Sequence, residues 1–133
     1  MLVTIFKYSV VPFSVGSLFL YGCQNISRAY LDRYNPQVAA PKQHKIILDN
    51  DKVRVYEVIC NPGEVIPHHM HSNPAIIITE ENARVKITNH KEEVVYTGSG
   101  HSGATWVPPS KYPLSTKNID TKRFKIYRIE IKD

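Results

Sequence analysis

From Lys45 to the carboxyl end the chain is a succession of short runs rich in Val, Ile, Thr and Tyr, separated by turn-forming residues. This pattern narrows the fold more than any other feature. Lys45–Asp49 and Val53–Cys60 alternate apolar and polar residues on either side of Asn50-Asp51. After Asn61-Pro62-Gly63-Glu64 comes a histidine-bearing run, then Ala75–Thr79 and Ala83–Thr88, divided by Ser72-Asn73-Pro74 and Glu80-Glu81-Asn82. Glu93–Thr97, Ala104–Val107 and a last run from Arg123 to Ile131 complete the set. No convincing helical pattern interrupts it, so roughly eight short strands at regular spacing predict an all-β sandwich or barrel.

Two runs carry more than strand propensity. Proline then glycine at the centre of Asn61-Pro62-Gly63-Glu64 suits a type II turn, because glycine tolerates the positive φ required there. Ala75-Ile76-Ile77-Ile78-Thr79 is apolar on both faces, which predicts one face towards the interior and the other against a second layer or a second subunit. Self-association as a homodimer is one expectation that this run supports.

Between those runs lies Gly63-Glu64-Val65-Ile66-Pro67-His68-His69-Met70-His71. Successive side chains of a strand alternate faces, so His69 and His71 point one way and His68 and Met70 the other. Two imidazoles sharing one space are candidate ligands for a divalent transition metal, or one of them a general base, since imidazole titrates near neutrality. The plainer reading is a hydrogen-bonded pair inside the barrel. His68 reads as a surface histidine.

The amino end has a different character. Residues 8–22 carry no charge, follow the single Lys7, and end in Leu20-Tyr21-Gly22-Cys23, which resembles a secretory signal closing on a bacterial lipobox. That resemblance implies lipidation of Cys23, a membrane anchor, and a place in the bacterial cell envelope facing the periplasm. The expected division is a signal peptide over 1–22, a proline-punctuated linker over 23–44 and one domain over 45–133. With Cys23 committed, Cys60 has no partner and reads as a small buried hydrophobe. The formal net charge of +5 is spread along the chain without a dense basic run, so no nucleic acid is expected as a partner.

The residues from about 45 to 132 resemble the cupin superfamily, in particular its small single-domain bacterial members. The family's first motif is a glycine, five residues, His-x-His, and then a glutamate. Gly63 and His69-Met70-His71 fit the first half. The resemblance implies a cupin-type jelly-roll barrel, or double-stranded β-helix. It also implies where ligands are missing: the glutamate position falls at Ala75 or Ile76. Counted from Pro108, the second motif's glycine and histidine positions hold Ser110 and Pro113, with Asn118 near the motif's asparagine. His101, Glu80 and Tyr112 stand nearest as replacements for a third ligand. The leading expectation is thus a membrane-tethered module binding a small organic molecule in a pocket lined by His69, His71, Trp106, Tyr112 and isoleucines, with an incomplete metal site. The alternatives are a metal-dependent enzyme, dioxygenase-like or isomerase-like, with His69 and His71 as ligands, and a metal-free enzyme using one of these histidines as base and a tyrosine as acid.

Overall fold

The computed structural model describes residues 28–100 and 102–133. The signal-like segment, Cys23 and His101 lie outside the described residues. Among those residues no helix is long and apolar enough to cross a membrane.

Residues 28–34 are helical (α1), followed by a single turn, Pro36–Ala39 (α2). Asn35 caps α2, its side-chain oxygen accepting from the Gln37 amide, and Pro36 occupies the first turn, where a missing N–H costs nothing. Nine strands follow: β1 His44–Asp49, β2 Val53–Cys60, β3 Val65–His69, β4 Ala75–Glu81, β5 Arg84–Asn89, β6 Val94–Ser99, β7 Gly103–Val107, β8 Leu114–Asn118 and β9 Phe124–Ile131. They form two antiparallel sheets, a five-stranded one in the order β1-β2-β9-β4-β7 and a four-stranded one in the order β3-β8-β5-β6. This is a jelly roll, the double-stranded β-helix of the sequence-based expectation. β8, which patterning did not separate from its loop, pairs with both β3 and β5 and so holds the smaller sheet together.

Register fixes which side chains enter the barrel, because residues directly opposite in an antiparallel pair share a face. Across the larger sheet one row runs Ile46, Tyr56, Arg128, Ile77 and Thr105, and the row beside it contains His44, Val58 and Ile126. These face inward, where Tyr56, Val58, Cys60 and Ile66 form the core. The opposite face carries Leu48, Val55, Ile129, Ile76 and Trp106 as one transverse row. The triple isoleucine therefore splits, with Ile77 turned in and Ile76 and Ile78 turned out.

The segment read as a spacer is part of the domain from α1 onward. Met70 N–H donates to the Tyr34 carbonyl at 2.7 Å, Ile59 N–H to the Gln43 carbonyl at 3.1 Å, and Ala40 and Gln43 are buried. The polar composition of residues 35–44 hides this. Their anchoring is by backbone hydrogen bonds, by Lys42 and Gln43 on Glu64 and by the buried Pro36 and Ala40, none of which produces a hydrophobic period.

At the other end of β3, Gly63 has φ +75, as the type II turn requires. Its N–H donates to the Asn118 carbonyl at 3.0 Å. Asn118, wholly buried at 0% exposure, donates to the carbonyls of Cys60 and Lys122 and accepts from the Asp120 amide. One side chain thus ties the end of β2 to the turn before β9 and fixes the entry to the histidine strand.

Candidate functional site

His69 closes β3, and a β-bulge between Ile66 and His69 turns both residues inward although three positions separate them. His71 lies beyond the strand. Strand alternation therefore does not place it, and its backbone is held instead by a reciprocal pair of bonds: its N–H donates to Ser110 Oγ at 3.1 Å, and the Ser110 N–H donates to its carbonyl at 2.8 Å. The two rings nevertheless meet as expected, with centroids 5.1 Å apart. His68 faces the other way and bonds through Nε2 with the Asn89 carbonyl at 2.8 Å.

A third imidazole joins them. His44, at the first position of β1, lies 4.6 Å from the His69 ring and 5.4 Å from the His71 ring, centroid to centroid. One ligand atom from each of the three falls within 4.8 Å of the others. Of the expected replacements, His101 lies outside the described residues, and Glu80 and Tyr112 are placed elsewhere. Glu80 is exposed and pairs with Lys125 at 2.6 Å, and Tyr112 lines the cavity with its ring 6.1 Å from that of His90. Nothing in the sequence marks His44, which stands alone at the edge of a polar segment with no motif around it.

Hydrogen bonding sets the tautomer of each ring. Nδ1 of His44 faces the Ala40 carbonyl at 3.0 Å, Nδ1 of His69 the Pro67 carbonyl at 2.8 Å, and Nδ1 of His71 the Glu130 carboxylate at 2.6 Å. All three acceptors lack a proton to give, so each Nδ1 carries the hydrogen and each Nε2 keeps its lone pair. Glu130 also accepts from Arg128 Nε at 3.2 Å. It is the orienting carboxylate that the sequence offered no means of finding, since it lies 59 residues from His71.

The electrostatics favour neutral rings. Burial first, then repulsion from His69 and His71, pushes His44 down to about 3. Burial pushes His71 down to about 4 against the opposing hydrogen bond to Glu130. His69 is lowered as well, again by burial, with the Pro67 carbonyl resisting. Burial would raise Glu130, but His71 and Arg128 more than offset it and hold the carboxyl below its ordinary range. At neutral pH the His71–Glu130 contact is consequently a neutral N–H donating to a carboxylate.

These rings form part of the wall of a cavity of about 470 Å³. Ile66, Val85, Leu114, Phe124 and Ile126 give it a largely apolar lining, and Tyr112 and Ser110 stand among its polar groups. Of the residues expected to line a pocket, His69, His71 and Tyr112 do so. Trp106 does not: it lies on the outer row of the larger sheet, 60% exposed, because β7 presents Thr105 and Val107 inward.

Three neutral imidazoles, each with Nδ1 on an acceptor, are a fitting donor set for a divalent transition metal. Metal-bound histidine commonly gives its second ring nitrogen to a carbonyl or carboxylate, as each of these rings does. Fe, Mn, Ni and Zn all accept such nitrogen ligands.

No known family's sequence profile matches this chain, and no curated protein matches it either. Solved structures do resemble it. A cupin domain from Bordetella pertussis Tohama I superposes with a TM-score of 0.59 at 22% identity, over 68% of this chain and 92% of that one. An RmlC-like cupin family protein with a double-stranded β-helix fold from Methanocaldococcus jannaschii gives 0.52 at 14% identity, over 67% and 78%. The polyketide cyclase RemF from Streptomyces resistomycificus gives 0.50 at 16% identity, over 68% and 64%. At such identities the likeness speaks for the fold alone, and the fold of this chain is that of the cupins.

Proposed function

We propose that this protein is a metal-binding cupin in which His44, His69 and His71 hold one divalent transition metal at the wall of a cavity that takes a small organic molecule. The observation that carries the reading is the common state of the three rings. Each has Nδ1 tied to an acceptor and no hydrogen bond on Nε2 among the described residues, and one ring nitrogen from each lies within 4.8 Å of the others. Among the described residues no ring is hydrogen-bonded to another; each Nδ1 has its partner outside the trio.

The third histidine changes the weighing made on sequence alone. With two ligands a pure binding module was the better expectation; with three, and a carboxylate behind one of them, the metal-dependent reading gains. A bound ion in such a site supplies Lewis acidity and open coordination positions for a substrate atom. The chain's own residues supply the rest. Glu130 fixes the His71 ring, Pro67 and Ala40 fix the other two, and the apolar walls exclude water from whatever the cavity holds. Whether that ligand is turned over or only bound is decided by testing the loaded protein for chemistry; the metal itself is tested by elemental analysis of protein purified without chelator. About one equivalent of a transition metal is expected in the native chain and little in His44→Ala, and an equal content in both overturns the reading.

The amino-terminal segment motivates a separate proposal of attachment to a membrane of the bacterial cell envelope, facing the periplasm, through lipid on Cys23. Mass spectrometry of the protein from its native source tests it, because an unprocessed Met1 excludes it.

A further inference from the structure

Arg128 lies in the middle of β9, on the inward row between Tyr56 and Ile77. It is 8% exposed and forms part of the cavity wall beside the three histidines. Its guanidinium is only partly engaged. Nε donates to Glu130 at 3.2 Å and Nη2 donates to the Asn73 carbonyl at 3.3 Å, but none of the hydrogen bonds among the described residues uses Nη1. That atom is also not sealed in protein, because no buried side-chain nitrogen or oxygen is left without a partner.

The surroundings give this free donor its meaning. Among the described residues the cavity lining contains two cationic side chains, Arg128 and Lys111, and no aspartate or glutamate. Glu130 neutralises Arg128 from behind, on the Nε side, and is itself shared with His71. A guanidinium edge facing an apolar cavity is costly without a partner, and it forms strong, directional bonds to a planar oxyanion. Lysine would offer a point charge; arginine offers a shaped one.

We infer that the ligand of this cavity is a small organic carboxylate, with its carboxylate on Arg128 and an apolar body against Ile66, Phe124 and Ile126. The inference names the ligand class for the proposed site, and the anion contact is made by protein alone. It is therefore separable from the metal. An ion held by the three neutral imidazoles adds further positive charge on the same side of the cavity, which favours the same ligand class.

The test compares 2-naphthoate with its neutral isostere 2-naphthamide by isothermal titration calorimetry, first with chelator present and then after metal loading. In chelator, native protein is expected to prefer the carboxylate by about tenfold or more, the worth of one charge-assisted bond over a neutral one. Arg128→Met should abolish that preference, Arg128→Lys should retain part of it, and Lys111→Gln should leave it intact. Because Arg128→Met leaves Glu130 with one partner fewer, nitrogen-edited NMR of the native chain is the second readout: the Arg128 side-chain resonance should shift on adding naphthoate and stay still with naphthamide. Equal binding of the two probes, no binding of either, a preference that appears only after metal loading, or one that follows Lys111 overturns the inference. Metal content measured on the same samples reports on the metal reading independently, so the two can fail separately.

Discussion

Glu130 Oε1 lies 2.6 Å from His71 Nδ1, inside the barrel, with Arg128 Nε 3.2 Å from the same oxygen. One carboxylate oxygen therefore links a metal-ligand candidate to the cation that faces the cavity. Glu130→Gln keeps the size and one acceptor but removes the charge that fixes the ring. Metal affinity should drop by about 10–100-fold, the usual effect of losing such an outer partner, while the fold persists. Competition with a chromophoric chelator measures it. Unchanged affinity would mean that Glu130 serves only to neutralise Arg128.

How far the sequence led is clearest at this cluster. His69 and His71 could be found because both lie in one short run with the spacing of a known motif. His44 and Glu130 could not, since they belong to β1 and β9 and meet the others only through strand pairing across β2. Strand order is a long-range property that local periodicity does not encode. The same limit explains β8: Leu114-Ser115-Thr116-Lys117-Asn118 contains one large apolar residue, and its strand character comes from lying between β3 and β5. The Pro62-Gly63 turn, by contrast, is set by local sterics and was legible in full.

Acid should destabilise the metal-free protein through the same rings. His44 at about 3 and His71 at about 4 both lie below an ordinary imidazole at 6.5. The sign follows from the bound protons. Between pH 6.5 and about 4 the unfolded chain takes up protons that the folded chain does not, so stability is fully present above the unfolded value and lost as pH falls through that window. Each histidine contributes a slope of at most about 1.4 kcal/mol per pH unit. Urea midpoints in chelator at about pH 7.5 and about pH 5 check this, the higher range avoiding most carboxylate titration. Equal midpoints would contradict it, and His44→Ala should flatten the slope.

The outer row of the larger sheet, Leu48, Val55, Ile129, Ile76 and Trp106, supports the expectation of self-association between two copies of the chain. Trp106 is 60% exposed at one end and Leu48 is 48% exposed at the other. An apolar band that crosses a sheet in this way commonly marks an interaction surface. Sedimentation equilibrium should give a dimer for the native protein and a shift towards monomer for Ile76→Glu, with metal content unchanged because that side chain faces away from the histidines. A native chain that stays monomeric at high concentration would refute the expectation.

The turn that delivers the histidine strand allows backbone strain to be measured apart from packing. Gly63 has φ +75, yet a Cβ built there meets nothing within 4 Å. Gly63→Ala should therefore cost about 1–2 kcal/mol through the left-handed backbone alone. Asn118→Ala should cost more, since it strands the buried carbonyl of Cys60, loses the bond to the Lys122 carbonyl and leaves a void in a site with 0% exposure. Both changes act on the entry to β3, upstream of Ile66 and His69. If that entry positions the histidines, Asn118→Ala should weaken metal binding in protein that is still folded by circular dichroism, and Gly63→Ala should do so less. Full metal affinity in a folded Asn118→Ala variant would show that the bulge at His69 and the Ser110 clasp on His71 hold the rings without help from the turn.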